Sequence, residues 1–209
     1  MLDLVLPLEC GGCGLPSTRW CAACAHQLAL KPDDPRLITP RVDPGVPVFS
    51  LGRYAGARRA AIVAAKERSR SDLLDALATA LGTGLERLLD WGILDVPLTL
   101  VPAPTRRSAA RRRGGDPVTR IARAVATGRP GIAVVPALGM QARTRDSVGL
   151  STSARQRNLR GRIRLRRTVG GDALLVDDIV TTGTTATESL RVLHAAGTRV
   201  VGVLVIAHA

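Results

Sequence analysis

The chain predicts an α/β fold, a parallel sheet flanked by helices with a small cysteine-bearing lobe in front, and three observations lead there. Short apolar runs alternate with longer segments of helical period, the pattern of strands covered on both faces by crossover helices. One apolar run, Ala173 to Val176, ends in two adjacent acids and a hydroxyl-rich loop, Asp177-Asp178-Ile179-Val180-Thr181-Thr182-Gly183-Thr184-Thr185, after which helical spacing resumes. All 4 cysteines fall before residue 25, as Cys10-Gly11-Gly12-Cys13 and Cys21-Ala22-Ala23-Cys24.

The elements follow in order. Residues 1–35 hold the cysteines, 36–96 form a linker and hood segment, and 97–209 form the core. Lys31 to Pro47 is rich in Pro and Asp and predicts a linker with turns. Val48 to Tyr54 predicts a short strand, and Ala55 to Ala65 and Asp72 to Trp91 predict helices separated by Ser69-Arg70-Ser71. Leu98 to Val101 is an apolar strand stopped by Pro102-Ala103-Pro104, Arg111 to Ala126 is helical, and Ile132 to Val135 is a strand. Gly149 to Arg167 predicts an irregular basic segment, Thr185 to Ala196 a helix closed by Gly197, and Val200 to Ile206 the last strand. Ligands of such sheets bind beyond the carboxyl ends of the strands, where Asp177 and Asp178 belong.

Two neighbouring carboxylates can accept hydrogen bonds from vicinal sugar hydroxyls or hold a hydrated Mg²⁺, which takes oxygen ligands. The loop Thr181 to Thr185 can aim N–H groups and hydroxyls at a phosphate, at a helix N-terminus already disposed toward anions. Gly183 removes a side chain where a phosphate would need close approach. Together these residues predict a cradle for ribose 5-phosphate. A plain helix cap needs one Asp or Thr, not two acids followed by Thr-Thr-Gly-Thr-Thr.

Two C-x-x-C pairs in a reducing compartment predict one structural Zn²⁺ held by Cys10, Cys13, Cys21 and Cys24, ahead of disulfides or a redox dithiol. Four thiolates leave no open coordination position, so this metal folds a lobe without doing chemistry. Gly11, Gly12 and Gly14 suit left-handed turn positions, and His26 is a bystander.

A hydrophobic content of 45% is enough for a core, and no apolar stretch approaches a membrane span. The start Met1-Leu2-Asp3-Leu4 lacks the basic region of a secretory signal, so a soluble cytoplasmic protein is expected. A net charge of +13 favours polyanionic partners. Lys31 and Lys66 are the only lysines. Aromatic residues make up 2% of the chain and all precede residue 92, which argues against single-strand binding on aromatic platforms in the C-terminal half. No Ser/His/Asp or Cys/His arrangement points to a covalent nucleophile, and His194 and His208 read as surface or terminus residues.

The Asp177 to Thr185 run resembles the 5-phosphoribosyl 1-diphosphate (PRPP) motif of type I phosphoribosyltransferases. Cysteine knuckles in front of it, with Val101-Pro102-Ala103-Pro104 and arginines between, resemble the ComF family of phosphoribosyltransferase-like proteins. Arg113-Gly114-Gly115-Asp116-Pro117 stands where that family has Arg-Gly-Phe-Asn-Gln. Arg143-Thr144 to Leu150 matches its Arg-Thr-x-x-Gln-x-x-Leu with Ser147 in place of Gln, and Arg155 to Asn158 keeps its Arg-x-x-Asn. The resemblance implies a type I phosphoribosyltransferase-like fold with an N-terminal zinc ribbon. It implies that Ala103 to Arg107 receives pyrophosphate through backbone N–H groups and Arg106 or Arg107. It also implies that Arg143 to Asn158 closes over PRPP, with Arg145 and Arg155 facing the diphosphate, and that Lys66 fills a basic position in the hood.

The leading expectation is a Mg²⁺-dependent PRPP-binding protein, with Asp177, Asp178 and Arg145 as its catalytic set if it transfers phosphoribose to an acceptor that the sequence does not name. PRPP binding follows more directly than turnover, because the acceptor-side residues are the ones that depart from the family. The alternative is a non-catalytic DNA-uptake accessory, using the ribbon, Arg106 to Arg113 and Arg155 to Arg167 against single-stranded DNA or a DNA-processing partner. A PRPP-sensing regulator without a reaction is a third reading.

Overall fold

The computed structural model describes residues 8–68, 70–105, 116–141 and 161–209. A 6-stranded sheet runs in the order β1-β2-β8-β7-β3-β4. Its strands are β1 (Arg36–Ile38), β2 (Val48–Ser50), β3 (Leu98–Pro102), β4 (Ile132–Val134), β7 (Asp172–Val180) and β8 (Arg199–His208), with β5 (Leu138–Met140) and β6 (Ile163–Leu165) paired separately. Every neighbouring pair in the large sheet is parallel except β1 with β2. The helices are α1 (Ala22–Leu28), α2 (Gly56–Glu67), α3 (Leu74–Asp90), α4 (Pro117–Ala126) and α5 (Thr184–Ala195). The chain is therefore a mixed α/β protein with a mostly parallel sheet flanked by helices.

The central strand explains the layering. In β7, Leu174 and Val176 pack with α2, α3 and α4, whereas Ala173 and Leu175 pack with α5 and the β5–β6 pair. Leu174 and Leu175 are both fully buried, and each burial stabilises by about 1.5–3 kcal/mol. Helix α3 turns Leu74, Leu77, Leu81, Leu85 and Leu88 to the core, an i, i+3, i+4 stripe. Helix α4 starts at Pro117, whose missing N–H costs nothing in a first turn, and Gly197 at φ 79° ends α5.

Expected and observed elements differ where pairing is short or long-range. Lys31 to Pro47 contains β1, held by antiparallel pairing with β2. The basic segment ending at Arg167 contains β6, which closes on the unforeseen β5. Strand β7 does not stop at Val176. Asp177, Ile179 and Val180 stay in register with Val205, Ala207 and His208, so the acids lie within the strand's last turn of pleat. The expected helix from Arg111 begins at Pro117, and residues 111–115 lie outside the described ones. Among the described residues, no helix is long and apolar enough to cross a membrane.

Candidate functional site

Parallel pairing with β3 and β8 carries Asp177 and Asp178 to the carboxyl edge of the sheet. Asp178 is buried and its carboxylate is met by Lys66 from α2, with Nζ 2.8 Å from Oδ1 and 2.6 Å from Oδ2. Its side chain is 5% exposed and that of Lys66 is 30%, so water screens the pair weakly. A carboxylate has about four lone-pair directions. Lys66 leaves some of them for hydroxyl donors. Asp177 Oδ1 accepts the Asp178 backbone N–H at 2.8 Å. Burial, and then the charge of Asp178, hold the Asp177 carboxyl well above the usual carboxylate range, against a smaller opposing pull from Lys66. The two acids are thus unequal: one is salt-bridged to Lys66, and the other has its acidity weakened by burial and by its neighbour's charge.

The loop after β7 leads into α5 without a side-chain cap. Thr187 N–H makes the first helical bond, to Gly183 O, so the amides of Thr184, Thr185 and Ala186 precede the ladder. Thr182 Oγ1 lies 2.9 Å from Thr184 Oγ1 and 3.5 Å from the Thr184 amide. Thr181 is exposed, and Thr182, Thr184 and Thr185 are half-buried. Gly183 sits at φ 86°, a left-handed conformation. A Cβ there would overlap the carbonyl oxygen of Val42 and crowd Pro40. The Val42 N–H in turn donates to Thr182 O at 2.8 Å. Gly183 therefore makes room for the Pro40–Val42 strap, a reason the sequence pattern did not suggest.

Other expected residues are placed as follows. Ala103 is buried and donates its N–H to Val176 O at 2.8 Å, extending the β3–β7 ladder, so that amide is not available to an anion. Arg106, Arg107, Arg145 and Arg155 lie outside the described residues, as do the Arg106–Arg113 run and the Arg143–Asn158 loop. His208 ties the chain end down: Nδ1 lies 2.9 Å from Ser50 Oγ, and its backbone bonds Gly52 and Tyr54. Burial, with Arg53 and Arg58 nearby, pushes its pKa down.

The four cysteine sulfurs lie within 4.8 Å of one another, close enough to share one metal ion. Cys21 occupies the N-cap position of α1 without a side-chain capping bond and Cys24 sits in its first turn, while Cys10 and Cys13 lie on the preceding turn. Cys10 Sγ accepts the N–H groups of Gly12 and Cys21, each at 3.4 Å. Burial raises the Cys10 pKa, but the backbone donors of Cys13, Cys21 and Gly12 outweigh it and bring the thiol down to about 6. Burial and the neighbouring sulfurs push Cys24 up. Among the three knuckle glycines only Gly14, at φ 79°, uses a left-handed conformation. Gly12 is needed because a Cβ would overlap Cys24 Sγ, and Gly11 because it would overlap Leu73. Arg70 fastens this lobe to the core side, donating to Glu9 O at 3.0 Å and Arg19 O at 3.3 Å while paired with Asp72.

No protein-family model matches the chain, and no curated protein matches it by sequence. Similar solved structures include adenine phosphoribosyltransferase from Saccharomyces cerevisiae, complexed with an imino-altritol bisphosphate and adenine, at 12% identity and TM-score 0.41, covering 90% of each chain. Orotate phosphoribosyltransferase from Mycobacterium tuberculosis is similar at 23% identity and TM-score 0.35, over 64% of this chain and 61% of that one. A hypoxanthine phosphoribosyltransferase from Staphylococcus aureus follows at 17% identity and TM-score 0.34, over 64% and 62%.

Proposed function

We propose that this is a PRPP-binding protein of the phosphoribosyltransferase-like, ComF-type kind, able to transfer phosphoribose to an acceptor with release of pyrophosphate. The observation that supports the reading is the joining of two inequivalent acids, Asp177 and salt-bridged Asp178, to a threonine-glycine loop that leaves first-turn amides of α5 without a side-chain cap. On this reading Asp178 accepts one ribose hydroxyl and Asp177 engages its neighbour. Thr181, Thr182, Gly183, Thr184 and Thr185 hold the 5′-phosphate through hydroxyls and backbone N–H groups. Lys66 fixes the Asp178 carboxylate in place through their ion pair. The loop after Ala103, with Arg106 and Arg107, and Arg145 from the later segment serve the diphosphate.

Chemistry of this kind needs positioning and charge neutralisation more than a nucleophile, since the bond to pyrophosphate breaks through a cation-like sugar. Mg²⁺ bound with PRPP would neutralise the leaving diphosphate. Cys10, Cys13, Cys21 and Cys24 suit a structural Zn²⁺, because four closely grouped thiolates are its preferred closed set. Residues 1–35 then act as a metal lobe, 36–96 as linker and hood, and 97–209 as the core. The protein would work in the cytoplasm.

The test is calorimetric titration of PRPP into the full chain with and without Mg²⁺. Saturable binding that Asp178→Asn abolishes, with cysteine-bound metal retained, is expected. Absence of binding to the wild-type chain overturns the proposal. Single-stranded DNA binding that weakens steeply with salt, in a chain indifferent to PRPP, would transfer the assignment to the DNA-uptake reading.

A further inference from the structure

Beside the four-cysteine knuckle lies a cleft of about 370 Å³ that the sugar-phosphate reading does not use. One wall is the knuckle backbone at Gly11 and Gly12, and the other is the α2 face of Ala60, Val63 and Ala64. Its rim carries Arg59, Arg68 and Arg70 against a single acid, Glu9. Arg70 is occupied by Asp72 and by two backbone carbonyls. Arg59 rests over the Tyr54 ring, 5.8 Å from its centroid, which orients the guanidinium without neutralising it. Among the described residues no carboxylate forms an ion pair with Arg59 or Arg68. The cleft thus joins a narrow apolar floor of methyl and glycine surface to two uncommitted guanidinium groups, which favour carboxylate and phosphate.

We propose that this cleft is a binding site for a small organic acid, a carboxylate or phosphate ester on a compact apolar body. The apolar body fills the space between the glycines and α2, and Arg59 and Arg68 receive the anion. The site stands apart from the sugar-phosphate cradle. None of the residues lining the cleft belongs to that cradle, and Lys66, one helical turn beyond Val63, is engaged with Asp178 instead.

The probes are benzoate, phenyl phosphate and the uncharged benzamide, titrated into the full chain at fixed ionic strength and followed by calorimetry. At least one acid is expected to bind saturably, with benzamide at least tenfold weaker. The double variant Arg59→Gln/Arg68→Gln should lose binding at least tenfold while keeping its melting temperature. A charge-matched control on exposed α4 positions, Arg120→Gln/Arg123→Gln, should change it less than twofold. This control separates a site from the general attraction of a chain with net charge +13. Equal loss in the two double variants, equal binding of benzamide, or no saturable binding by either acid overturns the proposal. Each outcome is read without PRPP and leaves the PRPP reading untouched.

Discussion

The cysteine knuckle and the acid-threonine loop are both short motifs, yet they are completed in opposite ways. The knuckle gathers its four sulfurs from fifteen consecutive positions, and its supporting donors, the amides of Gly12, Cys13 and Cys21, come from the same stretch. The loop supplies the acids and hydroxyls itself but depends on distant partners. Lys66 is 112 positions away from Asp178, and Pro40 to Val42 folds across Gly183. A motif closed within its own stretch reveals its geometry in spacing alone. A motif closed by the rest of the fold reveals only its chemistry.

The largest effect should come from breaking the self-contained motif. Cys24→Ser is expected to lose bound metal, measured by elemental analysis, and to lower unfolding free energy by more than about 4 kcal/mol, the scale of losing a metal site. Trp20 packs on this cluster, so its fluorescence should follow the loss. Retained metal with unchanged stability would show that the four sulfurs do not act as one site.

Breaking the long-range closure should cost less. Lys66→Met leaves Asp178 buried without its cation, which costs about 3–5 kcal/mol in a fully buried pair and should fall at the low end here because Lys66 is 30% exposed. Adding Asp178→Asn should restore part of the stability in denaturant unfolding. An additive double variant would mean that the pair contributes nothing as a pair.

Gly183→Ala tests the strap. The left-handed conformation alone costs about 1–2 kcal/mol, and displacing Val42 adds to it, for a total of about 2–3 kcal/mol. A neutral substitution would mean that the strap moves aside freely.

The smallest effect is at Asp177. Its folded pKa is raised, so between the unfolded and folded values the native state keeps a proton that the unfolded chain has released. Stability then falls as pH rises through that window. Asp177→Asn removes the fall and should raise the melting temperature at pH 7 but not at pH 3, by calorimetry. A gain of equal size at both pH values would assign the effect to something other than the proton.

How much could be read from sequence follows the same division. The alternation of apolar runs with helical segments located β3, β4, β7, β8 and α2 to α5, because each carries its own periodicity. Strands β1, β5 and β6 escaped notice: β2 and β4 are equally short but sit in apolar runs, whereas β1 and β6 lie in segments read as turns or basic loop, and all three are defined by their partners. The four cysteines and the acid pair were visible as residue types at fixed spacing. The Lys66–Asp178 pair was half visible: the resemblance singled out the lysine, but nothing local could name its partner. The role of Gly183 against Val42, and the spending of the Ala103 amide on Val176, follow from sheet pairing that no single segment encodes.

The order of the large sheet has a consequence for how the molecule behaves among its neighbours. Among the described residues its outermost strands, β1 and β4, are three residues each, and prolines bracket both, Pro35 and Pro40 around one and Pro130 and Pro136 around the other. Proline offers no amide hydrogen, so each rim presents too short a ladder to template a stranger's strand. In concentrated solution, copies of this chain should meet well-guarded margins, and self-association through sheet extension is disfavoured.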